Sequence, residues 1–258
     1  MKKTKDIMYQ VTDGLAGTAV NGVLYWLYWF GASFGKSKTS YGAYQAFREA
    51  HAALEEFNYD SFKHIISKLR RQGLITKRKA YSGVELAISD KGKQRLSEFI
   101  PQYQTERPWD GFLYLISYDI PEHRHSTRNL LRSFLKRIGC ALLQESLWLT
   151  PYNPRKLIDE FVGEHGITGT ILISKLGRDG AVGDETLDVL LDRVYHLTAL
   201  NDRYKEFIRA CTHESRHTFQ LRITYDRIVK DDPQLPYGLL PKDWKGDEAY
   251  QLLQNNVR

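Results

Sequence analysis

The sequence has few of the residues on which disulfide frameworks and metal modules depend. Only two of its 258 residues are cysteines, Cys140 and Cys211, so neither a disulfide framework nor a multi-cysteine zinc module fits. It has no Gly-x-Ser-x-Gly nucleophile motif, no Ser/His/Asp signature and no phosphate-cradling loop with a lysine–serine ending. These absences argue against common hydrolase and nucleotide-binding classes. We therefore expect a protein that is not an enzyme and that carries no cofactor.

One cluster of metal-ligating residue types stands out near the end of the sequence. Cys211, His213, Glu214 and His217 lie close together, and the two histidines would share one face of a helix. That spacing can hold zinc. Exposed histidines near a helix end are commoner, and no second motif accompanies the cluster, so we expect no metal site.

Charge is distributed unevenly along the chain. Residues 1–104 contain 16 Lys+Arg and 9 Asp+Glu, whereas the remainder is close to neutral although the whole chain has a net charge of +6. A basic segment of this kind is typical of contact with a polyanion. Together with the length, it predicts three segments: 1–104, 105–176 and 177–258.

The first segment contains a long uncharged run. Residues 14–35 include no ionisable acid or base and are long enough for a spanning helix, which leaves a membrane-anchored DNA-binding protein as an alternative. Five glycines and aromatics bunched in Tyr25–Trp29 are not typical of a span, whose aromatic belts sit at its edges. We expect a buried first helix that packs Leu24, Leu27 and Tyr28, and no membrane contact.

The strongest helical pattern in the basic segment lies between Asn58 and Gly73. Asn58 is a good N-cap and Gly73 a good C-terminal residue. An apolar stripe of Phe62, Ile65, Ile66 and Leu69 is expected to face a core. The opposite face carries polar and basic residues, namely Ser61, Lys63, His64, Ser67, Lys68, Arg70 and Arg71.

A hairpin and a further helix are expected after this basic helix. Leu74–Arg78 and Val84–Ile88 alternate as strands around a turn at residues 80–83, and Asp90 is the expected cap of the next helix. Helix, basic helix, basic hairpin and helix is the order of a winged helix-turn-helix. In that fold Ser61, His64, Ser67 and Lys68 would read bases, while phosphates would be held by Lys63, Arg70, Arg71, Lys77, Arg78 and Lys79. A solvated basic helix without a ligand is the alternative.

The middle segment alternates strands and helices. Strands are expected at 112–120, 141–149 and 167–174, and helices at 123–138 and 155–164. The helices would bury apolar faces that include Leu130 and Leu157. A fourth strand would complete the β-α-β-β-α-β order of a ferredoxin-like domain, but only three can be assigned. The C-terminal segment is helical in pattern, with helices expected at 185–209 and 218–229. The overall fold class is therefore α+β.

Two sets of motifs in the second half of the chain resemble PaaX-like regulators, the family of the phenylacetate-catabolon repressor. The central set is Trp109-Asp110-Gly111, Tyr118-Asp119-Ile120-Pro121, Arg128, Leu135, Gly139 and Leu147-Trp148-Leu149-x-Pro151. The C-terminal set is Tyr195-His196-Leu197-Thr198-x-x-Asn201-x-x-Tyr204-x-x-Phe207-Ile208 and Asp232-Pro233-x-Leu235-Pro236-x-x-Leu239-Leu240-Pro241-x-x-Trp244-x-Gly246.

The resemblance implies a function and several partners. It implies a cytoplasmic, homodimeric transcriptional regulator that binds double-stranded DNA, acting as a repressor that an acyl-coenzyme A thioester releases. The effector would lie between the central domain and the helices around His196 and Tyr204. The central domain of the family is also similar to the small CRISPR adaptation nuclease, which would make Asp119 a magnesium ligand. A metal-dependent nuclease is therefore the alternative function, although one carboxylate is a poor magnesium site and a structural aspartate is favoured.

Overall fold

The computed structural model describes residues 18–31, 41, 43–45, 59–80, 83–121, 123–177, 185–213 and 218–257. They belong to two compact units that are each discontinuous along the chain. The first unit combines Met1–Tyr103 with Arg203–Asp232 and Lys245–Arg258, and the second combines Gln104–Asp202 with Pro233–Trp244. The three-segment division of the chain stays a prediction.

The uncharged run begins the core of the first unit. Helix α1 (Ala19–Trp26) continues into a π-helical turn, Leu27–Gly31. Leu24 and Leu27 are buried as expected, but Tyr28 is 43% exposed, so its predicted burial is wrong. The wider π-helical turn changes the angle between successive side chains. Tyr25 and Trp26 fill the core instead, and no helix in the described ranges is long and apolar enough to span a bilayer.

A buried polar group connects α1 to helix α8, which spans Thr218–Asp231. The Tyr25 hydroxyl donates a 2.6 Å hydrogen bond to Asp226, and Arg222 pairs with the same carboxylate at 3.0 Å. The Arg222 guanidinium also lies 3.6 Å from the ring centroid of Trp29. Burial raises the pKa of Tyr25 well above its ordinary value, so its phenol stays protonated and keeps donating.

The basic segment forms the elements expected from the sequence. Helix α2 (Tyr59–Arg71) buries the predicted apolar stripe. An antiparallel hairpin of β1 (Ile75–Ala80) and β2 (Gly83–Ile88) follows, and then helix α3 (Asp90–Ser97). The predicted cap Asp90 is wrong by one residue, because the Ser89 hydroxyl accepts the Gly92 N–H and Asp90 is the first helical residue. Asn58 lies outside the described residues.

The second unit contains a four-stranded antiparallel sheet. Its strands are β3 (Leu113–Asp119), β4 (Ala141–Gln144), β5 (Leu147–Thr150) and β6 (Thr170–Leu176), in the spatial order β4-β5-β3-β6. The fourth strand that the sequence left unassigned comes from residues 141–149, which form two strands around a sharp turn. With the two intervening helices, this is the β-α-β-β-α-β connection order of a ferredoxin-like domain.

Those two helices cover one face of the sheet. Helix α4 (His125–Arg137) and helix α5 (Arg155–His165) stack Phe134 on Phe161 with ring centroids 3.8 Å apart. The expected burial of Leu130 and Leu157 is wrong, since these side chains are 40% and 48% exposed. Their neighbours Leu131 and Ile158 are buried instead. The apolar stripe of each helix is thus narrower than its sequence pattern indicates.

The C-terminal part of the chain is helical, which confirms the prediction of a helical C-terminal segment. Helices α6 (Leu187–Tyr195) and α7 (Leu197–His213) replace the single predicted helix. His196 separates them because its φ of +55° places it in the left-handed region. Part of α6 covers the second face of the sheet, where Leu113 and Leu149 pack with Leu191. Helix α9 (Gly246–Val257) ends the described chain.

Candidate nucleic-acid interface

The outward face of α2 presents most of the residues that were predicted to meet nucleic acid. Ser61 is half-buried, whereas the other six residues of this face are exposed, namely Lys63, His64, Ser67, Lys68, Arg70 and Arg71. Their spacing of three and four residues keeps them on one side of the helix. The arrangement follows from the buried stripe, because packing Phe62, Ile66 and Leu69 into the core turns the polar residues outward.

The cations of this face have no acidic partner within the described ranges. No carboxylate there forms an ion pair with Lys63, Lys68, Arg70, Arg71 or the hairpin residue Lys77. Some exposed cations elsewhere are paired, for example Arg193 with Glu185 at 2.9 Å and Lys245 with Glu248 at 2.6 Å. Others, such as Arg155 and Lys242, form no ion pair within the described ranges. What distinguishes the α2 face is that four such cations lie together on one side of one helix, which gives this surface a positive potential.

The hairpin extends the positive surface. Lys77 is exposed on β1, and in the antiparallel register it lies opposite Leu86, while Arg78 lies opposite Glu85. The backbone of Arg78 and Lys79 belongs to β1, but their side chains lie outside what the structure describes. The structure thus describes the side chains of eight of the ten predicted DNA contacts.

A compact hydrogen-bond arrangement fixes the hairpin to α2 and α3. Gly73 ends α2 with a φ of +70°, and the Leu74 N–H donates to the Leu69 carbonyl at 2.9 Å. The Ser89 hydroxyl donates to the Gly73 carbonyl at 2.6 Å and also caps α3. The helix that carries the cations and the strands that follow it are consequently held in one orientation.

Beside the polar face of α2 lies a groove of about 820 Å³, to which α1 and α3 contribute. Its lining includes Ser61, His64 and Lys68 from α2 and Lys91 and Arg95 from α3. Sequence reasoning missed Lys91 and Arg95 because it treated α3 only as the helix that completes the fold. The lining residues are far apart in the chain, so no local pattern brings them together.

The structure describes the two alternative metal sites only in part. Asp119 is exposed at the end of β3, where its backbone pairs with Thr170. Within the described ranges, no group of three or more His, Cys, Asp or Glu side chains is placed to hold a metal ion. Glu214 and His217 of the C-terminal cluster lie outside those ranges.

Several motif residues that carry the family resemblance have structural roles. The Trp109 indole N–H donates to the Phe112 carbonyl at 2.7 Å, and Asp110 accepts the Phe112 N–H at 3.1 Å. The Tyr114 hydroxyl also donates to Asp110, and this bond lowers the pKa of the carboxylate. This motif therefore shapes the turn that leads into β3.

The two residues named for the effector differ in their surroundings. His196 is exposed at the break between α6 and α7, whereas Tyr204 is fully buried and its hydroxyl donates to Asp232 at 2.8 Å. Burial raises the pKa of Tyr204, so this phenol remains a donor. A buried, bonded Tyr204 is a core residue of the first unit.

Comparisons with known proteins bear on the second half of the chain most strongly. Residues 106–183 match the family model of the PaaX protein central Cas2-like domain, and residues 195–258 match that of the PaaX-like protein C-terminal domain. The transcriptional repressor PaaX of Escherichia coli (strain K12) is 29% identical over 190 residues, which cover 66% of this chain and 58% of that protein. The match thus spans less than two thirds of the relative.

A solved structure supports the fold. An uncharacterized protein from Mycobacterium tuberculosis matches with a TM-score of 0.53 and 16% identity, covering 77% of this chain and 80% of that one. At this identity the likeness concerns the fold alone.

Proposed function

The chain belongs to the PaaX-like family, and from this premise we propose that it is a transcriptional regulator that binds double-stranded DNA sequence-specifically and acts as a repressor. The observation that carries the proposal is the exposed face of α2, whose cations lack acidic partners in the described ranges. A winged helix-turn-helix places such a helix in the major groove and its hairpin against the backbone.

The proposed contacts divide into base-reading and phosphate-holding residues. Ser61, His64, Ser67 and Lys68 occupy the part of α2 that would face base edges. The phosphates would be held by residues of α2 and of the hairpin, namely Lys63, Arg70, Arg71, Lys77, Arg78 and Lys79. Phosphate contacts fix the position of the protein, whereas the base-reading residues select the operator.

The finer parts of the proposal concern assembly and control. A homodimer with two-fold symmetry would bind a palindromic operator. An acyl-coenzyme A thioester would release the repressor by binding the conformation that does not bind DNA more tightly. Such a regulator would act in the cytoplasm, where it meets the chromosome. The repressor relative does not favour the nuclease alternative.

The first test is fluorescence anisotropy of the full chain on labelled DNA taken from upstream of its own gene. An excess of random duplex serves as competitor, and acyl-coenzyme A thioesters are then added. We expect binding to the upstream duplex to survive the competitor and to weaken with a thioester. Equal affinity for the two duplexes would contradict sequence-specific recognition.

A pair of variants tests the assigned helix. Lys68→Ala should reduce the preference for the upstream duplex by about five- to 100-fold, the range expected for losing a good base contact. Lys156→Ala is the control, because it removes the same charge from α5, where Lys156 lies 3.9 Å from Glu160. Equal losses in both variants would show that only total charge matters.

A further inference from the structure

The groove beside α2 combines an apolar floor with a positive rim. Ala19, Val20, Ile65 and Leu74 contribute apolar surface, and Lys68, Lys91 and Arg95 contribute positive charge. Asp60 is the one acidic side chain among the described residues that line it. At about 820 Å³, the groove lies in the size range of small-molecule sites, which are mostly apolar with a few placed polar groups.

The positively charged side chains on the rim differ in whether they already form hydrogen bonds or ion pairs with neighbouring side chains. Arg95 donates to Glu98 at 2.6 Å and to the Asn21 side chain at 3.4 Å, so its position is fixed by both neighbours. Lys68 and Lys91 form no ion pair with a carboxylate in the described part of the chain, and both are exposed. Two lysines without acidic partners beside apolar surface suit a ligand that has a negative head group and an apolar body.

We propose that this groove binds a small amphipathic anion, and that the bound ligand competes with DNA for the polar face of α2. The competition follows from shared residues, since Ser61, His64 and Lys68 line the groove and also belong to the proposed base-reading set. A ligand seated against these side chains covers the surface that would enter the DNA groove. This second half of the inference rests on the proposed DNA-binding function, whereas the binding site itself does not.

The position of the groove makes it a different site from the one expected around His196 and Tyr204. All of its lining residues belong to α1, α2, α3 and the chain segments next to them. Control of DNA binding through this groove needs no change in the relation between the two units. It acts by occupying the recognition surface directly.

The test uses 8-anilinonaphthalene-1-sulfonate, a fluorescent amphipathic anion, with the folded full chain. We expect saturable binding of one probe per chain, and Lys91→Glu should weaken it by about three- to tenfold, since the substitution replaces an attraction with a repulsion. The matched control is Lys93→Glu, because Lys93 lies on the same helix outside the groove and pairs with Asp90 at 3.1 Å. Circular dichroism and thermal unfolding check that both variants are folded.

Two further measurements separate the parts of the inference. Inorganic sulfate should displace the probe far less well than decanoate, because the apolar floor contributes to binding. In the presence of the upstream duplex, the probe should raise the apparent dissociation constant for DNA, and it should do so less in Lys91→Glu. Probe binding measured without DNA tests the groove on its own. If the protein binds the probe but binds no duplex, the proposed DNA-binding function is contradicted and the ligand site is not.

Three results would overturn the inference. If probe binding is not saturable, or if Lys91→Glu and Lys93→Glu bind the probe equally, the groove is not the proposed ligand site. Displacement by sulfate as effective as by decanoate would show a plain anion site instead of an amphipathic one. Tight duplex binding that the bound probe leaves unchanged would overturn the competition.

Discussion

At the scale of single residues, Cys140 shows how burial sets chemistry that the sequence leaves open. Its side chain is buried at the start of the β4–β5 hairpin, where the Cys140 N–H donates to Leu135 at 3.0 Å. Desolvation raises the pKa of the Cys140 thiol to about 12. A thiol held protonated in this way is a poor nucleophile and a poor metal ligand.

The raised pKa of Cys140 predicts a loss of stability at alkaline pH. The unfolded chain ionises this thiol above its ordinary pKa of about 8.5, whereas the folded chain keeps it protonated until about pH 12. The stabilisation that the protonated Cys140 thiol gives the folded state is therefore complete below about pH 8.5, and it is lost as the pH rises toward about 12. Urea unfolding of the reduced protein should show a loss of about 1 kcal/mol between about pH 8 and about pH 9.5.

Two variants assign the effect to this thiol. Cys140→Ala should lower the free energy of unfolding near neutral pH but remove the part of its pH dependence that comes from this thiol, whereas Cys211→Ala should retain that part. A pH profile of Cys140→Ala that stays parallel to that of the parent protein would show that another group is responsible.

Residue-scale expectations failed where the direction of one side chain depends on distant packing. The sequence predicts that Asp90 caps α3, yet Ser89 does so because its hydroxyl reaches both Gly92 and the Gly73 carbonyl at the end of α2. Tyr28 was expected in the core, and the π-helical turn after Trp26 leaves it exposed. Neither outcome is visible in the local pattern of apolar residues.

At the scale of elements, α3 approaches the start of the hairpin so closely that a Gly→Ala change in this helix is predicted to destabilise the protein. Alanine normally stabilises a helix interior relative to glycine by about 1 kcal/mol. A Cβ on Gly92 would lie 2.2 Å from the Leu74 carbonyl oxygen and 2.8 Å from Ile88. Gly92→Ala should therefore destabilise the protein by about 1–3 kcal/mol in urea unfolding, because backbone must move to admit it.

Gly163 in α5 provides the matched control for Gly92. A Cβ built there meets no atom within 4 Å, so Gly163→Ala should stabilise the protein by about 0.5–1 kcal/mol. Opposite signs for two Gly→Ala changes in helices would confirm that α3 is packed against the chain at Leu74. A stabilising Gly92→Ala would contradict the described packing of α3.

Elements were predictable from periodicity and unpredictable where the chain turns without glycine or proline. The stripe of α2 and its end at Gly73 were confirmed, because burial and left-handed backbone leave clear sequence signals. The turn between β4 and β5 uses Glu145 with a φ of +36°, and the break between α6 and α7 uses His196 with a φ of +55°. Glutamate and histidine do not by themselves predict a positive φ. Residues 141–149 therefore could not be assigned as two strands, and 185–209 were predicted as one helix.

At the scale of the whole molecule, the distribution of charge in the sequence predicted the positive surface, whereas the order of the elements did not predict how each unit is assembled. The uneven charge of the sequence indicated the positive surface, since α2 and β1 together present cations that lack acidic partners in the described chain. The assembly of each unit from separate stretches of chain was not predictable. The contact between Tyr25 and Asp226 spans 201 residues of sequence, and the groove likewise depends on segments that only the fold brings together.

The location of positive charge, and not its total, should determine how DNA binding depends on salt. Each phosphate contact that a lysine or arginine makes contributes about −0.9 to the slope of log affinity against log salt concentration. The double variant Arg71→Ala with Lys77→Ala should therefore make the slope shallower by about two, measured by anisotropy between about 50 and about 200 mM salt. Lys156→Ala with Lys245→Ala lowers the net charge equally, but these lysines lie close to Glu160 and Glu248. An equal change of slope in both double variants would mean that the net charge of +6, rather than the face of α2, attracts DNA.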